Sequence, residues 1–347
     1  MDAGKFYALL RMEEASLALR SVLRLGLVEQ MGEKAFSINE LQTTLGLTKQ
    51  AARTFFVLLQ VMGILDREAD CYKLTRLAFE ALSDSARTSR KPYLQMGSGP
   101  EVDELIDLMR GERLDESLPL YSAQDGTRTL MDEEAVGREI AYGLSSRARN
   151  FATPLAAVLA VCRPLATSLA DIGAGSPYVA EACLNAMKDL KDVQLVDRSN
   201  GMQFARELIE RDRIDSSRMR LVEADFFKEV PSAEVYILSN TAHDWRPVEY
   251  QALMDNVRRA IVPGGLVCIH EPLLLDTWDS EQQWFQALWM ACYAMTLLKL
   301  THGAGTCYSL GEHHEILARS GFVPVGEAHA TVDGCTALFY ECDSQAH

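Results

Sequence analysis

Apolar residues in the first 90 positions recur mostly at helical spacing, with polar residues between them. Within this region Ser37 is followed by Glu40, which is the pattern of a helix N-cap with a capping box. Gly46 ends the short helix that follows, and Thr48 caps the next one. The predicted elements are helical residues 15–31, helices 40–45 and 49–62, and short strands 63–65 and 71–74. A helix–turn–helix followed by a hairpin predicts a winged helix.

From about residue 165 onwards, short apolar runs alternate with longer segments of helical spacing. Strands are predicted over residues 168–172, 193–196, 220–222, 235–238, 266–269 and 336–341. Helices are predicted over residues 178–190, 201–212, 247–261, 281–300 and 310–319. This alternation predicts an α/β fold with a doubly wound, largely parallel sheet and helices on both faces. Such sheets bind ligands beyond the carboxyl ends of their strands.

The length of 347 residues is enough for two domains. We expect a winged-helix-like dimerisation domain over residues 1–90, a helical bridging segment over 91–150, and a Rossmann-like domain over 151–347. DNA binding by the winged helix is not expected, because its second helix carries only Lys49 and Arg53 as basic residues.

Composition places the chain among ordinary globular proteins, with 48% apolar and 24% charged residues. The net charge of −15 argues against nucleic acid or an anionic membrane surface as the main partner. The sequence has no run of about 18 apolar residues that would predict a membrane span. Eight cysteines without a CxxC pair, and an N-terminus without the apolar core of a signal peptide, favour a reduced cytoplasmic location.

The strongest local signal for a binding site lies where the first strand of the predicted sheet ends. The sequence Ala-Asp-Ile-Gly-Ala-Gly-Ser, residues 170–176, closes that strand and opens a helix. Gly173 and Gly175 lack a Cβ atom and let the backbone approach a ligand closely. The same motif is compatible with a plain strand-to-helix turn, so it needs support from other residues.

Two acidic residues at the ends of the next strands supply that support. Asp197 ends the second strand, 26 residues after Asp171, and a carboxylate there suits the hydroxyl groups of a ribose. Asp225 ends the third strand and precedes Phe226, a combination that suits the amino group and the ring of adenine. A dinucleotide motif expects a third glycine near the position of Tyr178. A mononucleoside such as S-adenosylmethionine (SAM) therefore fits better.

Five short motifs together carry a family resemblance. They are Asp-Ile-Gly-Ala-Gly at 171–175, Val-Asp-Arg at 196–198, Ala-Asp-Phe-Phe at 224–227, His-Asp-Trp at 243–245 and Val-Pro-Gly-Gly at 262–265. This set resembles class I SAM-dependent methyltransferases, specifically the family of plant caffeic-acid enzymes and bacterial natural-product O-methyltransferases. The similarity covers almost the whole chain, and Tyr-Lys-Leu-Thr at 72–75 matches that family's dimerisation domain. It implies a homodimer that methylates a small-molecule acceptor.

The resemblance also implies roles for individual residues. In that family the positions of His243 and Glu271 hold the catalytic base and the carboxylate that orients it. The carboxylate fixes the tautomer of the imidazole, and the other ring nitrogen removes a proton from a hydroxyl group. The residues expected to line the SAM site are Asp171, Gly173, Gly175, Asp197, Arg198, Asp225, Phe226 and Ser239.

One stretch departs from the family pattern. O-methylating members usually have Gly-Gly-x-Glu-Arg-Thr shortly before the final helix and strand, whereas this chain has His-Gly-Ala-Gly-Thr-Cys-Tyr-Ser at 302–309. The glutamate and arginine are absent, Cys307 or a neighbour takes their place, and His302 is new. A smaller branch of the family methylates C3 of 2-oxo acids with the help of a metal. His243, Asp244 and His302 are predicted to supply two imidazoles and a carboxylate for iron or zinc.

These observations leave two hypotheses for the reaction. The preferred one is metal-assisted C-methylation at C3 of a 2-oxo acid, in the biosynthesis of a natural product or an unusual amino acid. The alternative is O-methylation of a phenolic or hydroxylated metabolite, with His243 as general base. For either acceptor, Arg147 or Arg149 is a candidate to bind a carboxylate.

Four polar residues also have plainer interpretations. Asp244 stands where a side chain commonly caps the helix that follows. His270 is predicted to be a packed residue on the strand face opposite to that of Glu271. His313 and His314 are predicted to be solvated on a surface helix.

Overall fold

The computed structural model describes residues 3–86, 89, 91, 94, 99–112, 118–124, 127–331 and 334–342. The chain divides into two compact units, which we call the first unit (residues 1–117 and 274–307) and the sheet unit (residues 118–273 and 308–347). This division differs from the boundaries predicted at residues 90 and 150. The predicted bridging segment is shared between the units, and parts of it lie outside the described residues.

The helices and strands of the described residues follow the predicted order. The helices are α1 (Ala3–Leu10), α2 (Met12–Arg24), α3 (Leu27–Met31), α4 (Ile38–Leu45), α5 (Lys49–Val61), α6 (Arg76–Leu82), α7 (Pro100–Arg110), α8 (Glu134–Cys162), α9 (Tyr178–Ala186), α10 (Ser199–Asp212), α11 (Pro247–Ala260), α12 (Glu281–Leu300) and α13 (Leu310–Arg319). The strands are β1 (Phe36–Ser37), β2 (Leu65–Glu68), β3 (Cys71–Leu74), β4 (Ser168–Ile172), β5 (Asp192–Asp197), β6 (Met219–Glu223), β7 (Val235–Ser239), β8 (Leu266–Glu271), β9 (Leu273–Leu274), β10 (Tyr308–Ser309), β11 (Phe322–Pro324), β12 (His329–Ala330) and β13 (Thr336–Cys342). Short 3₁₀ turns occupy Leu130–Asp132 and Ala242–Asp244.

The capping signals in the first unit act where the sequence predicts them. Ser37 Oγ accepts the backbone N–H of Glu40 at 3.3 Å, and Glu40 Oε2 accepts the backbone N–H of Ser37 at 2.8 Å. Thr48 caps α5 with its hydroxyl alone, which accepts the backbone N–H of Ala51 at 3.2 Å. The helix predicted across residues 15–31 is divided, because Gly26 adopts a left-handed φ of 66° between α2 and α3. Strands β1, β3 and β2 complete the winged-helix pattern as an antiparallel sheet.

Helix α12 belongs to the first unit although it lies far along the sequence. It packs against α1, α2 and α5. Trp284 Nε1 donates to the carbonyl of Val61 at 2.8 Å, which fixes the beginning of α12 to the end of α5. The loop after α12 is held to α5 as well, since Arg53 donates to Thr306 Oγ1 at 3.1 Å and to the carbonyl of Cys307 at 2.9 Å.

The sheet unit contains the predicted doubly wound sheet. Its strand order is β11-β13-β8-β7-β4-β5-β6, with β12 paired to β13. The pairs among β8, β7, β4, β5 and β6 are parallel, and β13 is antiparallel to β8. The prediction of a largely parallel α/β sheet is therefore confirmed. The carboxyl ends of β4, β5, β7 and β8 lie at the same edge, where a binding site is expected.

Both faces of the sheet are buried. In β4, Leu169 packs with side chains of α8, α9 and α10, whereas its neighbour Ala170 packs with side chains of α11 and α13. Alternate residues of a strand point to opposite faces, so each face has its own layer of helices. None of the helices in the described part of the chain combines the length and the hydropathy that crossing a bilayer requires.

Candidate active site

A cavity of about 440 Å³ opens at the carboxyl edge of the parallel strands, within the size range of small-molecule sites. Most residues predicted to bind SAM contribute to its wall, namely Asp171, Gly173, Gly175, Asp197, Arg198, Phe226 and Ser239. Asp225 lines an adjoining polar groove that shares Arg198 with the cavity. The structure thus brings the predicted residues together at one edge of the sheet.

The backbone after β4 depends on glycine. Gly173 has a φ of 70°, and a Cβ atom there would lie 2.8 Å from Oγ1 of Thr241. Gly175 has a φ of 55°, and its N–H donates to Oδ2 of Asp197 at 2.9 Å. Gly201, which the sequence analysis did not single out, lies so close to Asp197 that a Cβ atom would come within 2.5 Å of its Cγ. Any larger residue at these positions would displace the cavity wall.

The two aspartates at the ends of β4 and β5 have pKa values above those of ordinary surface carboxylates. Asp171 is 2% exposed, and burial together with the nearby charge of Asp197 raises its pKa to about 7. Burial also raises the pKa of Asp197, although its bonds to the N–H groups of Arg198 and Gly175 act against this. These bonds orient the Asp197 carboxylate at the cavity wall.

An aromatic wall forms beside Asp225. The ring centroids of Phe226 and Phe227 lie 5.9 and 4.8 Å from that of Trp245, and Tyr121 lies 6.3 Å from the same ring. Phe227 N–H donates to Oδ1 of Asp225 at 3.0 Å. Phe226 was predicted as an apolar contact, whereas Trp245 and Tyr121 were missed. Their aromatic character alone does not distinguish a cavity wall from a packed core.

The strongest polar constellation involves residues 241–245, which follow β7 and which we call the His243 turn. Glu271, at the end of β8, holds this turn with both carboxylate oxygens. Its Oε1 accepts the N–H groups of Thr241 at 2.8 Å and Ala242 at 2.7 Å, and its Oε2 lies 2.6 Å from Nδ1 of His243. Because the carboxylate occupies Nδ1, the imidazole is left with Nε2 for proton exchange.

The protonation of the His243 turn is set by burial and by its neighbours. Burial acts to lower the pKa of His243, but the charges of Glu271 and Asp244 outweigh it and raise that pKa. Burial acts in the opposite direction on Glu271, and the His243 imidazole nevertheless keeps the pKa of this carboxylate below its usual value. For Asp244, burial dominates and raises the pKa to about 7.

Asp244 has a different position from the one expected of a helix cap. Helix α11 is capped by Arg246, whose backbone N–H donates to Oε2 of Glu249 at 2.9 Å. Asp244 instead belongs to the 3₁₀ turn before it and lines the cavity. Its Oδ1 lies 3.7 Å from Nε2 of His243. The capping interpretation is therefore wrong.

The predicted metal set is not supported. His243 and Asp244 lie together in the sheet unit, whereas His302 follows α12 in the first unit. Among the described residues, no group of three or more His, Cys, Asp and Glu side chains is arranged to hold a metal ion. The loop of His302 is hydrogen-bonded to α5 through Thr306.

The structure agrees with the prediction for His270 but not with those for His313 and His314. His270 is packed as predicted, with no exposed surface, and its Nδ1 lies 2.8 Å from Oγ of Ser239. His313 was expected to be solvated but is fully buried, with Nδ1 3.1 Å from the hydroxyl of Tyr250. His314 is half-buried rather than exposed.

The two arginines that were candidates for binding an acceptor carboxylate lie in different surroundings. Arg147 lines the cavity, and its Nη2 donates to Oδ1 of Asn240 at 3.1 Å. Asn240 has a left-handed φ of 53°, which is uncommon for a residue other than glycine and often marks a functional turn. Arg149 instead pairs with Asp212 and with the hydroxyl of Tyr178.

A comparison with known protein families shows to which family the chain belongs. The family model of the O-methyltransferase domain matches residues 132–323. The chain belongs to this family. The O-methyltransferase family uses SAM as cofactor, so the chain is a SAM-dependent methyltransferase. Its fold agrees with a solved O-methyltransferase family 2 protein from Planctomyces limnophilus in complex with apigenin, at 24% identity and a TM-score of 0.83, over 99% of this chain and 96% of that one.

Two curated relatives of the O-methyltransferase family match over different lengths. Acetylserotonin O-methyltransferase from Macaca mulatta is 25% identical over 307 residues, which are 86% of this chain and 74% of that protein. The enzyme of the same name from Gallus gallus is 29% identical over 157 residues, which are 45% of this chain and 42% of that protein. The aligned part therefore spans less than half of the Gallus gallus protein and about three quarters of the other.

The glycine at 173 yields a first prediction. We expect Gly173→Ala to weaken binding of S-adenosylhomocysteine about tenfold, because the left-handed φ and the approach of Thr241 leave no room for a Cβ atom. Isothermal titration with S-adenosylhomocysteine checks this. Gly143→Ala in α8 is the matched control, since nothing lies within 4 Å of its Cβ position. Equal affinity of the two variants would contradict the prediction.

Proposed function

We propose that this protein is a SAM-dependent O-methyltransferase acting on the hydroxyl group of a small phenolic or hydroxylated metabolite. The observation that carries the proposal is the buried pair of His243 and Glu271, joined at 2.6 Å. Nε2 of His243 lies 3.7 Å from Oδ1 of the cavity-lining residue Asp244, and therefore close to the cavity. A buried general base of this kind suits an acceptor with an acidic hydroxyl group.

The cavity residues fit SAM. Gly173 leaves a space beside the backbone that a Cβ atom would fill. Asp197 presents an oriented carboxylate beside this space. The residues that we assign to SAM binding are Asp171, Gly173, Gly175, Asp197, Arg198, Asp225, Phe226 and Ser239. When bound, SAM supplies an electrophilic methyl group to the acceptor oxygen.

His243 and Glu271 have different roles in removing the proton. His243 accepts the proton of the acceptor hydroxyl at Nε2. Glu271 stabilises the imidazolium that results and keeps the ring in one orientation. A positioned general base contributes about 10²–10⁴-fold to a rate, so this pair is expected to account for a large part of catalysis.

O-methylation is a better proposal than C-methylation of a 2-oxo acid. The C-methylation hypothesis rested on a metal set that includes His302, and the described residues hold no such set. Both curated relatives described above are named as O-methyltransferases. The base pair of His243 and Glu271 provides for hydroxyl deprotonation without a Lewis acid.

The base yields a pH prediction. Since the pKa of His243 is raised, kcat/KM is expected to fall as the pH drops through a midpoint above the ordinary histidine value of about 6.5. Glu271→Gln removes the negative charge that raises this pKa, so the midpoint is expected to move to lower pH. His243→Gln is expected to lose at least about 100-fold in kcat. SAM turnover on a panel of phenols, followed from pH 5 to 9, provides the measurement.

A matched control separates this effect from the general loss of a histidine. His329 lies on β12, outside the cavity wall, and His329→Gln is expected to keep the wild-type profile. The base assignment fails if His243→Gln retains full turnover, or if the midpoint in Glu271→Gln moves upwards. Because His243 and Asp244 interact, the observed midpoint belongs to the pair.

The absence of a three-ligand set among the described residues gives a second prediction for the reaction. Treatment with EDTA is expected to leave the turnover of a phenolic acceptor unchanged within about twofold, since the base needs no metal. His302→Ala is expected to retain activity as well. A strict metal requirement, together with inactive His302→Ala, would restore the C-methylation hypothesis.

We also propose that the protein is a cytoplasmic homodimer formed through the first unit, as the family resemblance implies. Phe6, Leu9, Leu10 and Met12, in and after α1, are all about half exposed, which is unusual for a run of large apolar residues. No disulfide joins any of the eight cysteines, which lie in the described part of the chain, and a reduced compartment is proposed on that basis.

The dimer proposal predicts a mass of twice one chain in multi-angle light scattering. Leu10→Lys is expected to shift this mass towards the monomer, because it places a charge in the apolar run. Leu77→Lys in α6 is the control, since Leu77 is 75% exposed and lies outside the run. A wild-type protein that is monomeric at micromolar concentration would contradict the proposal.

A further inference from the structure

The His243 turn is held at both of its ends. Glu271 fixes the first end through the N–H groups of Thr241 and Ala242. At the other end, the hydroxyl of Tyr308 donates to the carbonyl oxygen of Trp245 at 2.6 Å. Tyr308 is 2% exposed, so this bond is made in a buried environment where a polar group needs its partner.

The ring of Tyr308 is itself held in place. Its centroid lies 5.6 Å from that of Tyr250 on α11 and 5.5 Å from that of His313 on α13. The hydroxyl of Tyr250 lies 3.1 Å from Nδ1 of His313, which ties these two helices together beside the ring. A ring enclosed in this way presents its hydroxyl in one direction.

We infer that Tyr308 is a positioning residue for His243, and that its hydroxyl holds the carbonyl of Trp245 so that the turn keeps His243 beside Asp244, which lines the cavity. The inference rests on the proposed function for its catalytic consequence. Tyr308 lies in the stretch 302–309 that lacks the glutamate and arginine usual in O-methylating members of the resembling family. In this chain the hydroxyl of Tyr308, which belongs to that stretch, binds the turn.

The inference distinguishes the hydroxyl of Tyr308 from its ring. Without the hydroxyl, the carbonyl of Trp245 loses its donor while the aromatic packing stays. The His243 turn is then held only at the end that Glu271 binds, and His243 samples more positions. Small displacements of a catalytic group cost about tenfold or more in rate.

The readout also follows from the charges that act on His243. These are Glu271 on β8, Asp244 in the turn and Arg147 on α8; the two carboxylates raise its pKa and the arginine lowers it. Asp244 moves with the turn, whereas Glu271 lies on β8, so loosening the turn increases the mean separation of the imidazole from the Glu271 carboxylate. The pKa of His243 is therefore expected to fall when the Tyr308 hydroxyl is removed, which a loss of stability alone would not produce.

The test compares Tyr308→Phe with Tyr340→Phe in the full chain. Tyr340 is a matched control, since it is fully buried and its hydroxyl lies 3.0 Å from Nδ1 of His314, away from the turn. For Tyr308→Phe we expect kcat to fall about tenfold, KM for SAM to stay within about twofold, and the acid limb of the pH profile to move to lower pH. Tyr340→Phe is expected to keep the wild-type kcat and profile.

One further measurement separates the possible failures. An NMR titration of the His243 imidazole, with S-adenosylhomocysteine present, reports its pKa without any acceptor. If the wild type methylates no hydroxyl acceptor but the titration still shifts in Tyr308→Phe, the proposed function fails and the positioning role stands. Unchanged kcat and an unchanged His243 titration in an active enzyme would overturn the positioning role.

A conservative replacement provides the rescue. Incorporation of 3-fluorotyrosine at position 308 keeps both the ring and the donor, and kcat is expected to return to within about twofold of the wild type. If this protein, which keeps the donor, is as impaired as Tyr308→Phe, then kcat does not depend on the hydrogen bond to Trp245, and the inference is wrong. This measurement also decides the question if Tyr308→Phe does not fold.

Discussion

The carboxylate of Glu271 is the constraint on which the site depends. It is 1% exposed, and a carboxylate buried to that extent is costly unless its oxygens are fully hydrogen-bonded. Two backbone N–H groups and one imidazole nitrogen meet this requirement. The shape of the His243 turn, and the use of Nδ1 rather than Nε2 in the bond to Glu271, are thus consequences of satisfying one buried charge.

Much of the sheet unit and its binding edge follows from the sequence alone. Short apolar runs mark the strands, which are buried on both faces, and parallel strands bring their carboxyl ends to one edge. That is why Asp197 and Asp225, at the ends of successive strands, were predicted to share a site, whereas the role of Glu271 was implied by the family resemblance. The position of Gly201 could not be predicted, because it matters only through its contact with the Asp197 side chain.

The incorrect predictions have a common physical origin in tertiary packing. His302 was expected to join His243 and Asp244 in a metal set, and its loop is held to α5 by hydrogen bonds that no local pattern reveals. His313 was expected on the solvated face of α13, but it is buried beside Tyr250. A histidine is compatible with either face of an amphipathic helix, so its hydrogen-bond partner decides where it lies.

The placement of α12 in the first unit has a consequence for how the chain is made. A ribosome releases α1 and α5 early, whereas their partner helix follows only after residues 118–273 of the sheet unit. At about 5–20 residues per second, the apolar faces of these early helices wait roughly 10–50 s for α12. During synthesis those faces therefore lack their partner helix, and the first unit completes its core only near the end of translation.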